Sequence, residues 1–439
     1  MTFGRSLPCL LLLGYGLAFG AASFGVALPA FDDHPGQLYR LWHVLEHGLA
    51  PWTWNPGWWA GYPELQFYPP GFFYLGALLH YGALALLPLG ATYQTLLWLS
   101  YLAPGVTTFL ALARLLGNGW LALPGGFAAL TLSAGLASGV EGGVHIGMLP
   151  ARLGWALLPL LFLALARWID DDGPPPWGAG VLVAAIVLVH PAHLPAAVAL
   201  VALAALSRAG RGRRLLGALA LLAVAAALTA FWTLPLIARL ANTRALAWGR
   251  LAPLETLGNH PLLVALLVLA ALAPRLARSP AERVIACWPW VAIAVVALDA
   301  GALEPLGIRW LPADRISDGA WLAVILAGGL AGGRLITRAA TARRWPIAGL
   351  TAAALAATAL LGVPGKTLSL WPRAAEWPSY AGTARGLRLD DFWTALRRGP
   401  EGRVLFLRSG IPLAYGTEWW RPHSHVTALT PMRAGRDIV

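Results

Sequence analysis

The stretch FDDHPGQLYRLWHVLEHGLAPWTWNPGWWAGYPELQFYPP (residues 31–70) follows the first apolar run of the chain and carries two adjacent acids, three histidines and five tryptophans. Leu38, Leu41, Trp42 and Leu45 recur at helical spacing, with Arg40, His43, Glu46 and His47 on the other side. A short helix with that pattern lies flat at a membrane surface, apolar side down. Trp52, Trp54, Trp58 and Trp59 suit the interfacial layer, where aromatic rings settle. The spacing therefore predicts a cap over 36–48 folded back onto a bilayer. Asp32 and Asp33 precede it. Acids there satisfy free N–H groups and oppose the positive end of the helix dipole. One acid suffices for that. Two, beside His34 at the mouth of a hydrophobic bundle, also suit a metal, a phosphate-bound cation or a hydroxyl awaiting deprotonation.

Outside this loop the chain is mostly oil. Of 439 residues, 58% are hydrophobic and 12% charged, and several apolar runs exceed the roughly 18 residues that mark a membrane span. This composition excludes a soluble protein and predicts an all-α polytopic membrane protein. The net charge of +12 sits largely in arginine clusters, SRAGRGRR (207–214), PRLARSPAER (274–283) and TRAATARRW (337–345). Short basic loops beside spans are the positive-inside signature, so the expected partner is the lipid bilayer and not nucleic acid. Cys9 and Cys287 fall inside apolar runs, which argues against a disulfide or a cysteine metal site. Residues 7–29 have signal-peptide character behind Arg5 but run long for one, so an uncleaved first helix is expected.

The runs predict about eleven spans (10–13), near 7–29, 69–90, 92–114, 119–138, 149–168, 177–206, 215–240, 261–274, 284–303, 319–336 and 346–363. With the arginine loops inside, residues 30–68, 242–260, 299–318 and everything after 364 face outward. The 177–206 run carries HPAH at 190–193. If it is two short helices turning at Pro191, Glu141 and His145 fall on the outer side and the Arg167 turn inside; this reading is preferred over a single span. Residues 1–363 then form the membrane domain, with 30–68 its first outer loop, and 364–439 a soluble α/β segment. In that segment LDDFWTALRRG (389–399) reads as a helix and GRVLFLRSG (402–410) as a strand. The chain stops at GRDIV without an evident finish, so a larger soluble part is expected beyond it.

Other polar residues are weighed against plain alternatives. Glu141 and His145 lie in EGGVHIG, a glycine-rich connection able to line a cleft or simply to turn in solvent. His190 and His193 share a helix face at a spacing of three. Two histidines do not complete a zinc site; they read as polar residues marking an interior cavity. His80 reads as a satisfied interior histidine, Asp170–Asp172 as a solvated turn, and Asp390 and Asp391 as helix-end acids.

The order of an apolar helix, then D-D-x-x-x-x-x-x-R, G-x-x-P-x-W-x-P, G-Y-P, and Y-P-P opening the next helix resembles the GT-C class of membrane glycosyltransferases. The matching residues are Asp32, Asp33, Arg40, Gly48, Pro51, Trp54, Pro56, Gly61, Tyr62, Pro63, Tyr68, Pro69 and Pro70. More narrowly, the chain is similar to bacterial membrane proteins labelled "6-pyruvoyl-tetrahydropterin synthase-related". A second matching patch, G-x-x-P-x-R-L-G-x-A-L-L-P-L, spans 147–160, and a weaker one is H-P-x-H at 190. The likeness extends to about residue 210. It implies a GT-C-like bundle in a bacterial cytoplasmic membrane, taking a sugar from a polyprenyl-phosphate-type carrier at the outer face. It also implies that Asp32 or Asp33 is the general base or a ligand of a divalent metal, Mg or Mn. The departing phosphate needs cationic help, for which Arg152, Arg315 and Arg244 are candidates. His34, Arg40, Tyr62, Glu141, His145, His190 and His193 complete the expected substrate and phosphate site. Two alternatives stand beside this one: a transporter or flippase of lipid-linked intermediates, with HPAH as the discontinuous helix it needs, and a non-catalytic scaffold of envelope assembly.

Overall fold

The computed structural model describes residues 3–133, 137–171, 173–243, 251–308, 311–343, 345–362, 368–373, 376–407, 411–412 and 423–439. Arg244 lies outside them. Helix α1 (Phe3–Ser23) leads into the surface helix α2 (His34–His47), which starts two residues before the expected cap. A two-residue hairpin, β1 (Trp54–Asn55) against β2 (Tyr62–Pro63), follows. The bundle then runs through α3 (Gly71–Gly82), α4 (Leu89–Leu116), α5 (Gly119–Thr131), α6 (Leu149–Asp170), α7 (Trp177–Val189), α8 (Leu194–Leu206) and α9 (Arg211–Ala238). It continues with α10 (Pro253–Asn259), α11 (Pro261–Leu276), α12 (Pro280–Leu298), α13 (Ala313–Arg343) and α14 (Ile347–Gly362). Beyond it lie α15 (Tyr380–Gly386), α16 (Leu389–Arg398), the pair β3 (Ile411–Pro412) and β4 (His423–Ser424), and α17 (Thr430–Ala434).

Every expected apolar segment contains a helix, but the span count changes. Among the described residues six helices are long and apolar enough to cross a membrane, or seven if α10 and α11, bent by 109°, count as one. The helices α3, α5 and α14 have 12, 13 and 16 residues. At about 1.5 Å rise per residue they fall short of a hydrocarbon core about 30 Å thick. The 177–206 run is broken as expected: α7 ends at Val189, Pro191–His193 make a tight turn, and α8 begins at Leu194.

The core lies between α4, α5, α6 and α13, where Leu112, Ala129, Phe162 and Leu326 are almost wholly buried. Small residues allow the close approach, as is usual in lipid. A Cβ on Gly105 would sit 2.7 Å from the Leu130 Cβ and 3.2 Å from the Gly126 carbonyl, so α4 and α5 touch backbone to backbone there.

The two ends of the bundle differ in chemistry. At one, the arginines hold helix termini: the Arg214 guanidinium donates to the carbonyls of Trp168 (2.5 Å), Ala204 (3.0 Å) and Ala205 (3.3 Å), and Arg334 pairs with Glu282. Asp170, at the same end, pairs with Arg114 at 3.5 Å. The other end gathers the first loop, the 139–148 connection, the start of α13 and the C-terminal segment. Glu141 and His145 thus share an end with the first loop, as the broken reading of 177–206 requires. His80 is satisfied, with Nδ1 2.8 Å from the Leu87 carbonyl. In the C-terminal segment α16 forms as read, with Asp391 paired to Arg388 at 2.6 Å. The expected strand over 402–410 does not: its described part makes a single bridge, Val404 to Ile438.

Candidate functional site

The acid pair is pinned from both sides. Asp32 is fully buried and sits in the left-handed region at φ 39°, a conformation an aspartate tolerates better than most residues. The 139–148 connection, whose Val140–His145 turn is π-helical, wraps around it: the Asp33 N–H donates to the Ile146 carbonyl at 2.9 Å. From the C-terminal segment, Ser424 bridges Asp32 in parallel and the His425 N–H reaches the Asp32 carbonyl at 3.4 Å. The His425 Nε2 lies 3.2 Å from the Asp32 Oδ1. Asp33 occupies the N-cap position of α2, yet its side chain makes no capping hydrogen bond. Capping therefore does not account for the pair.

Asp32 is in electrostatic range of His34 and His145 as well as His425. Asp33 is in electrostatic range of Arg40, Tyr68, Tyr93 and Arg315. Among the described residues no three His, Cys, Asp or Glu side chains stand together, so a Mg or Mn ion at Asp32 and Asp33 would draw its remaining ligands from a substrate phosphate and water.

The first loop is organised by a residue the sequence reading passed over, Glu64. It is 1% exposed, and its Oε1 accepts from the Arg40 Nε at 2.8 Å. Its other oxygen takes the Asn55 amide, whose own oxygen accepts from the Tyr39 hydroxyl at 2.6 Å and the Gly57 N–H at 2.9 Å. The Arg40 guanidinium lies over the Tyr68 ring at 4.1 Å and the Trp58 ring at 5.0 Å. Tyr62 faces the same pair, and burial pushes its phenol up from the usual value. Tyr68 also accepts from the Gln37 amide at 2.9 Å.

Several expected ligands serve the fold instead. His34 places Nε2 2.8 Å from the Val144 carbonyl, so that nitrogen donates, and Nδ1 accepts from the Tyr93 hydroxyl at 2.7 Å. With both nitrogens committed and burial lowering its pKa to about 4, it is a neutral brace and not a phosphate cation. His145 donates from Nε2 to the Glu376 carbonyl and packs between Phe31 (4.5 Å) and Trp377 (4.6 Å). Burial lowers its pKa to about 3. With Phe31, Trp377 and Ser379 it lines a small cavity beside the acid pair. Glu141 is buried within the π-helical turn. Arg152, nominated for the phosphate, is wholly buried and donates to the carbonyls of Ser138 (3.0 Å), Leu130 (2.9 Å) and Tyr101 (3.3 Å). It ties α4, the end of α5 and the connection after α5 together inside the bundle.

Arg315, at the start of α13, is the nominated arginine that does reach the pocket. Its Nη1 lies 3.4 Å from the Met148 sulfur, and it is in electrostatic range of Asp33, Tyr68 and His190. His190 stands at the break between α7 and α8, its ring 4.8 Å from that of His193. His193 turns inward, with Nε2 2.9 Å from the Ala151 carbonyl. Behind it lies Asp318, another residue the sequence reading missed, whose Oδ2 accepts from the Ser138 N–H at 2.7 Å. Its only sequence signal is the acid one helical turn after Arg315 in DRISD.

A helical bundle with a buried acid at the root of its first loop and a C-terminal segment against it is a membrane protein whose fold is similar to that of membrane glycosyltransferases. Among solved structures the chain is similar to the archaeal oligosaccharyltransferase AglB from Archaeoglobus fulgidus in complex with an inhibitory peptide and a dolichol-phosphate. The TM-score is 0.56 at 14% identity, over 100% of this chain and 65% of that one. It is also similar to arabinofuranosyltransferase AftD from Mycobacteria (TM-score 0.55, 18% identity, 96% of this chain and 31% of that one). A third is the Archaeoglobus fulgidus oligosaccharyltransferase in complex with Zn and sulfate (0.51, 16%, 98% and 62%). The chain thus spans less than two thirds of the length of each. At these identities the likeness is one of fold. No protein-family profile and no curated protein matches the sequence.

Proposed function

We propose that this chain is a glycosyltransferase that takes a sugar from a polyprenyl-phosphate-type carrier at the outer face of a bacterial cytoplasmic membrane. The observation that carries this reading is Asp32, fully buried at the root of the first loop with the His425 Nε2 3.2 Å from its Oδ1, next to Asp33 in electrostatic range of Arg40 and Arg315. An acceptor hydroxyl attacks the anomeric carbon of the donor and its proton passes to the Asp32 carboxylate. The bond from that carbon to the phosphate oxygen breaks, and the carrier leaves as its phosphate. Arg315 and Arg40 stabilise the charge developing on that phosphate, with Asp33 orienting them and Tyr62 and Tyr68 walling the pocket. The fold likeness to AglB and AftD supports the reading.

The test is turnover of a polyprenyl-phosphate-linked sugar by the full chain in lipid nanodiscs. Asp32→Asn lowers kcat by roughly a hundred- to ten-thousand-fold, the range for losing a general base, while Arg315→Ala raises KM for the lipid donor. Unchanged turnover in the Asp32→Asn, Asp33→Asn double variant sinks the assignment. A second reading, movement of lipid-linked sugars across the bilayer, is favoured by the break at 190–193. Vesicles loaded with the donor and no acceptor separate the two, since a flippase exposes the sugar there and a transferase does not.

A further inference from the structure

Residues 424–438 of the C-terminal segment are bound to the candidate site at several points. The Ser424 hydroxyl donates to the Ala30 carbonyl, and Ser424 is fully buried. The Trp58 indole donates to the Ala428 carbonyl at 3.0 Å, and the Ile438 N–H to the Gly57 carbonyl at 2.8 Å. Val426, Leu429 and Thr430 are fully buried, Val426 within a cluster of the C-terminal segment itself with Leu389, Trp393 and Ala434. A Cβ on Gly57 would strike Pro431 at 2.8 Å, so the segment is fitted to the loop closely enough to demand a glycine. Among these contacts only His425 addresses a carboxylate. The His425 Nε2 stands 3.2 Å from the Asp32 Oδ1, at ion-pair distance, while the imidazole stays about one third exposed.

We propose that residues 424–438 form a strap that completes the active site, and that His425 is the positioning residue that aims the Asp32 carboxylate. This rests on the transfer reading above and adds to it a residue and a dependence: transfer requires the docked strap. A misaimed carboxylate loses rate and not donor affinity, because the lipid phosphate is held by Arg40 and Arg315.

The full chain in nanodiscs carries the test. His425→Ala lowers kcat roughly a hundred-fold and leaves KM for a polyprenyl-phosphate-linked sugar unchanged. His425→Gln, whose amide reaches the same place with a donor, restores most of the rate. Wild-type turnover in His425→Ala overturns the proposal; so does a His425→Gln variant as slow as the alanine, or a rise in KM equal to the loss in kcat. Hydrogen exchange gives an arm independent of catalysis: Asp32→Asn speeds exchange of 424–430 at least ten-fold. If wild-type protein shows no transfer but this release occurs, the transferase reading fails and the strap on Asp32 stands. If exchange is unchanged, the strap fails.

Discussion

His34 shows at single-residue scale how the first loop resists being read as a ligand set. The motif places it beside two acids, where a histidine invites a catalytic or phosphate-binding reading. Burial decides otherwise, because a charged imidazole is expensive away from water and both of its nitrogens already have partners. His34, His43 and His145 all lie in connections outside the spans, and burial lowers their pKa values to about 4, 4 and 3. The sign of the consequence follows. The unfolded chain takes up these protons near the ordinary histidine value of about 6.5, and the folded chain only near 4 or below. Stability is therefore complete above about 6.5 and is lost as the pH falls toward 4, by up to about 1.4 kcal/mol per pH unit for each imidazole. Thermal unfolding in detergent should show a midpoint that falls across this window, with a shallower fall in His34→Gln. A flat profile contradicts the neutral-brace assignment. The acid pair itself was legible because it stands at a marked boundary between oil and water. Glu64, His425 and Asp318 were not, since what makes each important is a partner 24, 393 or 180 residues away.

At the scale of elements, each apolar run held a helix, though the short α10, α15 and α17 were not legible, and HPAH announced the break between α7 and α8, because a proline cannot continue the hydrogen-bond ladder. Hydropathy could not tell a full span from a helix of 12 to 16 residues embedded in the bundle, because both bury the same apolar surface. Of the strand read at 402–410, the described residues 402–407 form only a bridge, for a related reason. A strand exists only through its ladder partner, and the described chain offers Val404 one bridge to Ile438. The 139–148 connection was read as able to line a cleft or to turn in solvent; it is buried, its His145 lines a small cavity, and its Ile146 carbonyl holds the Asp33 N–H. Gly147 makes that contact possible: it sits at φ 99°, and a Cβ there would lie 2.8 Å from the His34 backbone nitrogen. Gly147→Ala should thus cost roughly 1–3 kcal/mol and loosen the Asp33–Ile146 hydrogen bond. Hydrogen exchange at residues 33–40 is the measurement, and unaltered protection there would mean that the connection does not hold the helix start.

For the whole molecule, the sorting of charge between the two ends makes a statement about the membrane. The arginines of 207–214 bind the carbonyls that end α6 and α8, and Arg334 meets Glu282 at the same end. The first loop, the 139–148 connection and residues 424–438 are tied together at the other. Those contacts fix the C-terminal strap and the first loop on one side of the bilayer, whichever side it is. The positive-inside rule then assigns the arginine end to the cytoplasm. Single cysteines in a background lacking Cys9 and Cys287 test both statements at once. Trp52 is 61% exposed and Leu407 99% exposed at the site end, while Gly212 is exposed in the arginine loop. Trp52→Cys and Leu407→Cys should react with a membrane-impermeant maleimide on intact spheroplasts, and Gly212→Cys only after permeabilisation. If all three exchange places, the bundle is inverted and the chemistry faces the cytoplasm. If Trp52→Cys and Leu407→Cys label from opposite sides, the strap cannot reach Asp32, and the closed site that every functional argument uses would not exist in the cell.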